Sequence, residues 1–215
     1  MTSVRLRSSL FAVSVVAWSG SFVVLARLGT WLTFAVVGLL LVALLVGLRV
    51  VRGALLRPNR MTVGVGISSG LLMVVLTHLA YRWLTALAPD IGAATARLMG
   101  LLNVSGFSVG SRAALIVLIA SCEEVLFRAA LPEVETRAPL SLVAFERRDL
   151  RRILALAAIY ALTTTPLGSP LLAACALLCG AIWGALGVAT GSLVAPILAH
   201  VVWDLGVLIV WPLLA

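Results

Sequence analysis

The sequence predicts an all-α protein, a polytopic transmembrane helix bundle of about seven spans around a cavity open to the cytoplasm. Three observations carry that prediction. Of 215 residues, 62% are hydrophobic and 11% charged, whereas a soluble domain carries about 25% charged residues. The apolar residues gather in runs long enough to span a bilayer, separated by short breaks marked by Gly, Pro or Arg. The few ionisable residues inside those runs recur at helical spacing.

The first apolar run extends from Leu10 to Ala26, behind a short tail carrying Arg5 and Arg7. A basic start of this kind resembles a signal peptide, but no small-x-small cleavage site follows and a second run begins almost at once, so a retained helix is expected. The second helix is placed at Trp31–Leu48, before a basic loop with Arg49, Arg52, Arg57 and Arg60 around Pro58-Asn59. The third is placed at Val63–Leu87, with Tyr81, Arg82 and Trp83 as an interfacial belt and Pro89-Asp90 as its stop. Residues 89–110 are punctuated by Gly and Ser and fit a loop, an interfacial helix or a re-entrant piece. A fourth helix over Ser111–Leu131 is closed by Pro132.

The loop 132–152 is the most polar part of the chain, with Glu133, Glu135, Arg137, Glu146, Arg147, Arg148, Asp149, Arg151 and Arg152. The fifth helix is placed at Ile153–Thr165, stopped by Pro166. The sixth is placed at Leu171–Ala189, with a small-residue face at Gly180, Gly184 and Gly187 for close packing. The seventh begins at Leu193 and runs to Leu208 or beyond, with Trp203 and Trp211 towards its end. The chain divides into N-terminal transmembrane helices and loop (1–110) and a core that carries the chemistry (111–215).

All sixteen basic residues are arginine, and eleven fall at the N-terminus, in the 49–60 loop and in the 132–152 loop. These are alternate connections, so that face is expected in the cytoplasm, with the N-terminus inside. The expected location is the cell membrane, multi-pass, of the bacterial inner-membrane kind. The net charge of +8 is explained by those loops and gives no ground for a nucleic-acid partner. No internal repeat is evident, which argues against an inverted-repeat transporter.

Within the fourth run stand Glu123, Glu124 and Arg128. Each unpaired charge at the bilayer centre costs roughly 2.5–3.5 kcal/mol, so such residues mark functional sites with partners. Glu124 and Arg128 are at i, i+4 and share a face, while Glu123 points about 100° away. The cheapest arrangement pairs Glu124 with Arg128 and leaves Glu123 to a polar cavity, placed to act as a general base on water. His200 and Asp204 form a second i, i+4 pair in the seventh run. Counted at 1.5 Å per residue, both pairs lie roughly 12 Å from the arginine-rich face, which suggests one shared cavity.

Plainer roles stand beside these: Glu124–Arg128 as a buried ion pair, Glu123 as a capped carboxylate, His200–Asp204 as interhelical glue. A zinc site from Glu123, Glu124, His200 and Asp204 would have a single histidine and no cysteine, which favours water activation instead. Cys122, Cys175 and Cys179 lie in apolar runs without a Cys-x-x-Cys pair and read as small hydrophobes. No metal or cofactor is predicted.

The chain resembles the CPBP family, which includes the CAAX prenyl proteases and the lysostaphin-resistance and bacteriocin-immunity proteins. The resemblance covers about residues 111–208. It rests on Glu123-Glu124-Val-Leu-Phe-Arg128 for the family's Glu-Glu-x-x-x-Arg and on His200-Val-Val-Trp-Asp204 for its His-x-x-x-Asn/Asp. The approach Thr190-Gly-Ser-Leu-Val-Ala-Pro-Ile-Leu-Ala-His200 is similar too. The resemblance implies an intramembrane glutamate endopeptidase acting on a peptide or membrane-protein segment. It implies Glu123 as the base, Glu124–Arg128 as the structural pair, and His200 with Asp204 on the oxyanion side.

Two departures stand out. The family's second motif, an aromatic residue, three residues and a histidine, reads here as Tyr160-Ala-Leu-Thr163-Thr164, so Thr164 stands in the histidine's place. Threonine hydrogen-bonds water but does not take its proton at neutral pH. Asp204 stands where Asn is common, and only a protonated Asp donates a hydrogen bond to an oxyanion. His78 in the third helix is a candidate replacement for the missing histidine, against a snorkelling role near Arg82. The alternatives to a peptidase are an impaired relative acting in immunity or in binding membrane proteins, and a small transporter.

Overall fold

The computed structural model describes residues 4–51, 53–102, 107–128 and 146–214. Among these residues there are eight α-helices and no strand: α1 (Val4–Leu28), α2 (Leu32–Gly47), α3 (Arg60–Leu87), α4 (Asp90–Leu102), α5 (Val109–Arg128), α6 (Arg147–Thr163), α7 (Pro170–Thr190) and α8 (Val194–Leu205). Three stretches are long and apolar enough to cross a membrane, Leu6–Leu28, Arg60–Leu87 and Pro170–Thr190, and Leu32–Gly47 and Val194–Val210 are shorter apolar helices. The outward faces are greasy: Val36, Leu39 and Leu40 on α2 and Leu71, Leu72 and Val75 on α3 are exposed, as expected of surfaces that meet lipid tails.

The element boundaries follow local chemistry. Helix α3 starts at Arg60 because Asn59 caps it: its side chain accepts from the Thr62 N–H at 2.8 Å, and the Thr62 hydroxyl accepts from the Asn59 N–H at 3.1 Å. Helix α6 starts at Arg147, earlier than the hydropathy suggests, because Asp149 accepts from the Glu146 N–H at 3.1 Å and draws the polar arginine turn into the helix. Helix α7 has Ser169 as its cap, accepting from the Leu172 N–H, and ends at Gly191 in the left-handed conformation. The segment left open at 89–110 contains α4. Arg52, Pro132, Glu133, Glu135 and Arg137, and the expected end of the fourth helix at Leu131, lie outside the described residues.

Helix α8 is the centre of the packing and touches α3, α5 and α7. Its approach to α3 depends on two glycines. A Cβ on Gly66 would lie 2.7 Å from the Ala195 carbonyl oxygen, and one on Gly70 would lie 2.8 Å from the Ala199 carbonyl oxygen. On α7, Gly180 and Gly184 sit against Tyr160, Ala157 and Ile153 of α6, the small-residue packing read from the sequence.

Among the described residues, the α7–α8 turn packs closely at the arginine-rich end. The Leu193 N–H donates to the Leu55 carbonyl at 2.9 Å and the Ser192 hydroxyl to the same oxygen at 3.2 Å, tying the α7–α8 turn to the loop before α3. The cavity of about 690 Å³ reaches from the level of Glu123 on α5 and Trp183 on α7 past the late turns of α3 and past α4 to the early turns of α5 and α7. Among the described residues the cavity lining extends from the polar cluster away from the arginine-rich end, whereas the sequence reading has the cavity face that end. The two polar pairs do share one depth, but small residues close the packing on the arginine side, and the helices spread on the opposite side.

Candidate active site

Glu123, Glu124 and Arg128 come from the second half of α5, where every residue from Cys122 to Arg128 is buried. Glu124 and Arg128 face each other one turn apart, Nε to Oε2 at 3.4 Å, and Arg128 Nη2 donates to the Gly180 carbonyl at 3.0 Å. Both residues are within 3% of full burial, so the pair neutralises itself rather than meeting water.

Glu123 is turned away from that pair and is held at both carboxylate oxygens. The Trp18 indole N–H donates to Oε1 at 3.1 Å, and the Tyr160 hydroxyl donates to Oε2 at 2.8 Å. The carboxylate thus bridges α1, α5 and α6. Trp18 is fixed in turn by edge contacts with Phe34 of α2, at 5.0 Å between ring centres.

His200 sits among three carboxyl groups. Its Nδ1 is 3.1 Å from Glu124 Oε1, and its Nε2 is 3.4 Å from Asp204 Oδ2 and 3.7 Å from Glu123 Oε2. One nitrogen is thus occupied by the structural pair, and the other is presented to the cavity between Glu123 and Asp204. Trp183 of α7 stacks on the imidazole at 3.5 Å and holds its plane. Trp203 donates its indole N–H to Thr77 of α3 at 2.9 Å, which pins the neighbouring turn of α8. The cavity is lined by Glu123, Tyr160, Trp183, His200 and Asp204, and by apolar side chains further out. It offers a polar end in a hydrophobic chamber, the usual make-up of a small-ligand or peptide pocket.

The structure thus brings Glu123, Glu124, Arg128, His200 and Asp204 into one cluster. Thr164 also lines the cavity, but its hydroxyl donates to the Ala161 carbonyl at 2.8 Å within its own helix end. His78 is elsewhere: its ring bonds to the Val74 and Trp211 carbonyls, both at 2.9 Å, and stacks on Trp211 at 3.8 Å. It latches the C-terminal segment to α3 and neither snorkels nor replaces the missing histidine. Cys122 packs on Gly38, while Cys175 and Cys179 line the cavity; all three are free thiols.

Trp18 and Trp183 were not legible as site residues. The available signal is position: tryptophans with donor N–H groups in the middle of apolar helices, away from the interfacial belt.

In comparison with known families, residues 105–206 match the model described as Type II CAAX prenyl endopeptidase Rce1-like. The matched segment contains α5 to α8 and all the cluster except Trp18. No curated protein and no solved structure matches the chain.

Proposed function

Because residues 105–206 match the model of Rce1-like CAAX prenyl endopeptidases, we propose that this chain is an intramembrane endopeptidase that uses Glu123 to activate water. The observation that carries the reading is the Glu123 carboxylate at the polar end of an apolar cavity, held at both oxygens and facing His200 and Asp204. A water between these groups gives its proton to Glu123 as its oxygen bonds to the scissile carbonyl carbon. The resulting oxyanion is met by His200 Nε2–H, with Asp204 beside that nitrogen at 3.4 Å. The C–N bond then breaks, the amine leaves with the proton from Glu123, and the new carboxylate departs. Glu124, paired with Arg128, holds His200 Nδ1, and neither residue touches substrate. The partners of this reading are the lipid bilayer and a peptide or membrane-protein segment.

The test is hydrolysis of a peptide library by the purified protein beside Glu123→Gln. A positioned general base contributes about 10²–10⁴-fold, so the variant is expected to lose activity by that factor. Absence of any Glu123-dependent cleavage sinks the reading. One observation favours the second reading, a binding protein without turnover: Thr164 spends its hydroxyl on Ala161 and offers no proton acceptor where the family has histidine. Under that reading the wild type is silent and Thr164→His gains cleavage.

A further inference from the structure

His78 is one of the chain's two histidines, and it stands outside the polar cluster. It is buried on α3, although its neighbours Val75, Leu76 and Leu79 are exposed. A buried polar ring costs stability unless it is hydrogen-bonded. Here Nδ1 lies 2.9 Å from the Val74 carbonyl one turn back, and Nε2 lies 2.9 Å from the Trp211 carbonyl, 133 residues away. A carbonyl oxygen only accepts, so the bond to Trp211 is donated by the imidazole.

The segment that His78 reaches continues the turn that carries Asp204. Helix α8 ends at Leu205, and the chain goes on as a single π-turn, Gly206–Val210, before Trp211. The last carbonyls of a helix have no partner within it, and a chain end frays unless it is tied down. Val74, Thr77 and His78 share one face of α3 and tie this end on both sides of Asp204. One residue before Asp204, the Trp203 indole N–H donates to the Thr77 hydroxyl at 2.9 Å, and that hydroxyl donates in turn to the Met73 carbonyl at 2.7 Å. Two residues after it, Gly206 lies so close to α3 that a Cβ there would collide with Val74 Cγ2. Beyond the π-turn, His78 holds the Trp211 carbonyl and stacks on the Trp211 indole at 3.8 Å. Asp204 has little to fix it by itself. Its side chain is 21% exposed, and it meets His200 Nε2 at 3.4 Å. A displacement of about 1 Å takes the carboxyl out of hydrogen-bonding reach.

We propose that His78 is a positioning residue for Asp204: by holding Trp211 against α3 it fixes the last turn of α8 and keeps the Asp204 carboxyl at His200 Nε2. His78 touches neither substrate nor the reacting groups. The placement of Asp204 follows from these contacts alone; its effect on turnover rests on the peptidase reading. Neither His78 nor Trp211 lies in the matched segment 105–206, so this support comes from the rest of the chain.

The test uses the full-length protein in detergent, isotope-labelled at histidine alone and observed by NMR at one fixed pH. Two histidines give two sets of ring signals, and the set missing from His78→Phe is that of His78. Asp204→Ala shows where the His200 signal lies without its carboxyl partner. His78→Phe keeps an aromatic ring against Trp211 but removes the donor, and is expected to move the His200 signal towards its place in Asp204→Ala. His78→Gln keeps a donor N–H and is expected to leave that signal at its wild-type place. A His200 signal unmoved in His78→Phe, or unmoved in Asp204→Ala as well, overturns the proposal, and so does an equal shift in His78→Gln. Should His78→Phe fail to fold, Trp211→Ala, at an exposed residue, removes the stacking partner and is read in the same way. In parallel, hydrolysis of the peptide library is followed in each variant. In His78→Phe kcat is expected to fall about 10- to 100-fold with KM unchanged, and in His78→Gln to recover. A wild-type kcat in His78→Phe overturns the proposal even where the signal moves. If the wild type cleaves nothing while the His200 signal moves as expected, the peptidase reading fails and the positioning role stands.

Discussion

Trp18 and Tyr160 approach the Glu123 carboxylate from two different helices, and each uses its only donor on it. A hydrogen bond to a charged group is worth about 1.5–3 kcal/mol. Trp18→Phe and Tyr160→Phe keep the ring and remove the donor. Each is expected to lower kcat by about 10- to 100-fold, if the two bonds serve to aim the base. A steady-state assay beside Glu123→Gln checks this; unchanged kcat in both variants would show that the aim comes from packing alone. Thr164→Val should behave differently. Its hydroxyl is satisfied by Ala161 within the helix end, so kcat is expected to stay within about threefold, near the net worth of one neutral hydrogen bond. Arg128→Met is a stability test. It strips the cation from the buried Glu124 and is expected to cost about 3–5 kcal/mol, read as a drop in the unfolding midpoint in detergent. At this scale the charged residues were legible, since a carboxylate or imidazole in an apolar run has few reasons to be there. Trp18 was not, because a tryptophan in a membrane helix is apolar enough to need no partner in the sequence.

At the scale of elements, the contact that places His200 is the α3–α8 crossing. Gly70 abuts the Ala199 carbonyl, one residue before His200, and Gly66 abuts Ala195 one turn earlier. A methyl group at either position meets backbone rather than a flexible side-chain tip. Gly70→Ala is therefore expected to cost about 1–3 kcal/mol by overpacking and to lower kcat by shifting the imidazole. Gly64, on the same helix, has nothing near its would-be Cβ, and Gly64→Ala should be neutral or stabilising by about 0.5–1 kcal/mol. Equal effects from the two substitutions would remove the crossing from the account. The sequence led to the glycine face of α7 but not to that of α3. Gly64, Gly66 and Gly70 are interleaved there, and only the packing tells which of them face α8. The helix ends were legible where Pro or Gly stops a run. They were missed where a polar cap extends the helix into a charged stretch, as Asp149 does at the start of α6.

For the whole molecule, helical counting placed two polar pairs, far apart in sequence, at one level of the bundle. Counting residues along each helix fixes depth but says nothing of which end of the bundle spreads open. That depends on how closely the helices cross at each end. Gly66 and Gly70 narrow the arginine-rich end, while α4 occupies the other end beside the cavity. The consequence is testable by filling the chamber. Ile116 lines it on α5, and Ile116→Trp adds bulk between the mouth and Glu123. The residue is neither in the polar cluster nor fully buried, so the helix can carry the larger ring without repacking the core. Loss of peptide access is expected as a rise in KM and a fall of tenfold or more in kcat/KM, about 1.4 kcal/mol of transition-state binding, with the unfolding midpoint unchanged. Leu71→Trp, on the outward face of α3, adds the same ring to a surface that meets lipid and should leave kcat/KM as it is. If the two variants lose activity alike, substrate does not travel through the chamber, and the path to Glu123 must be sought between the helices.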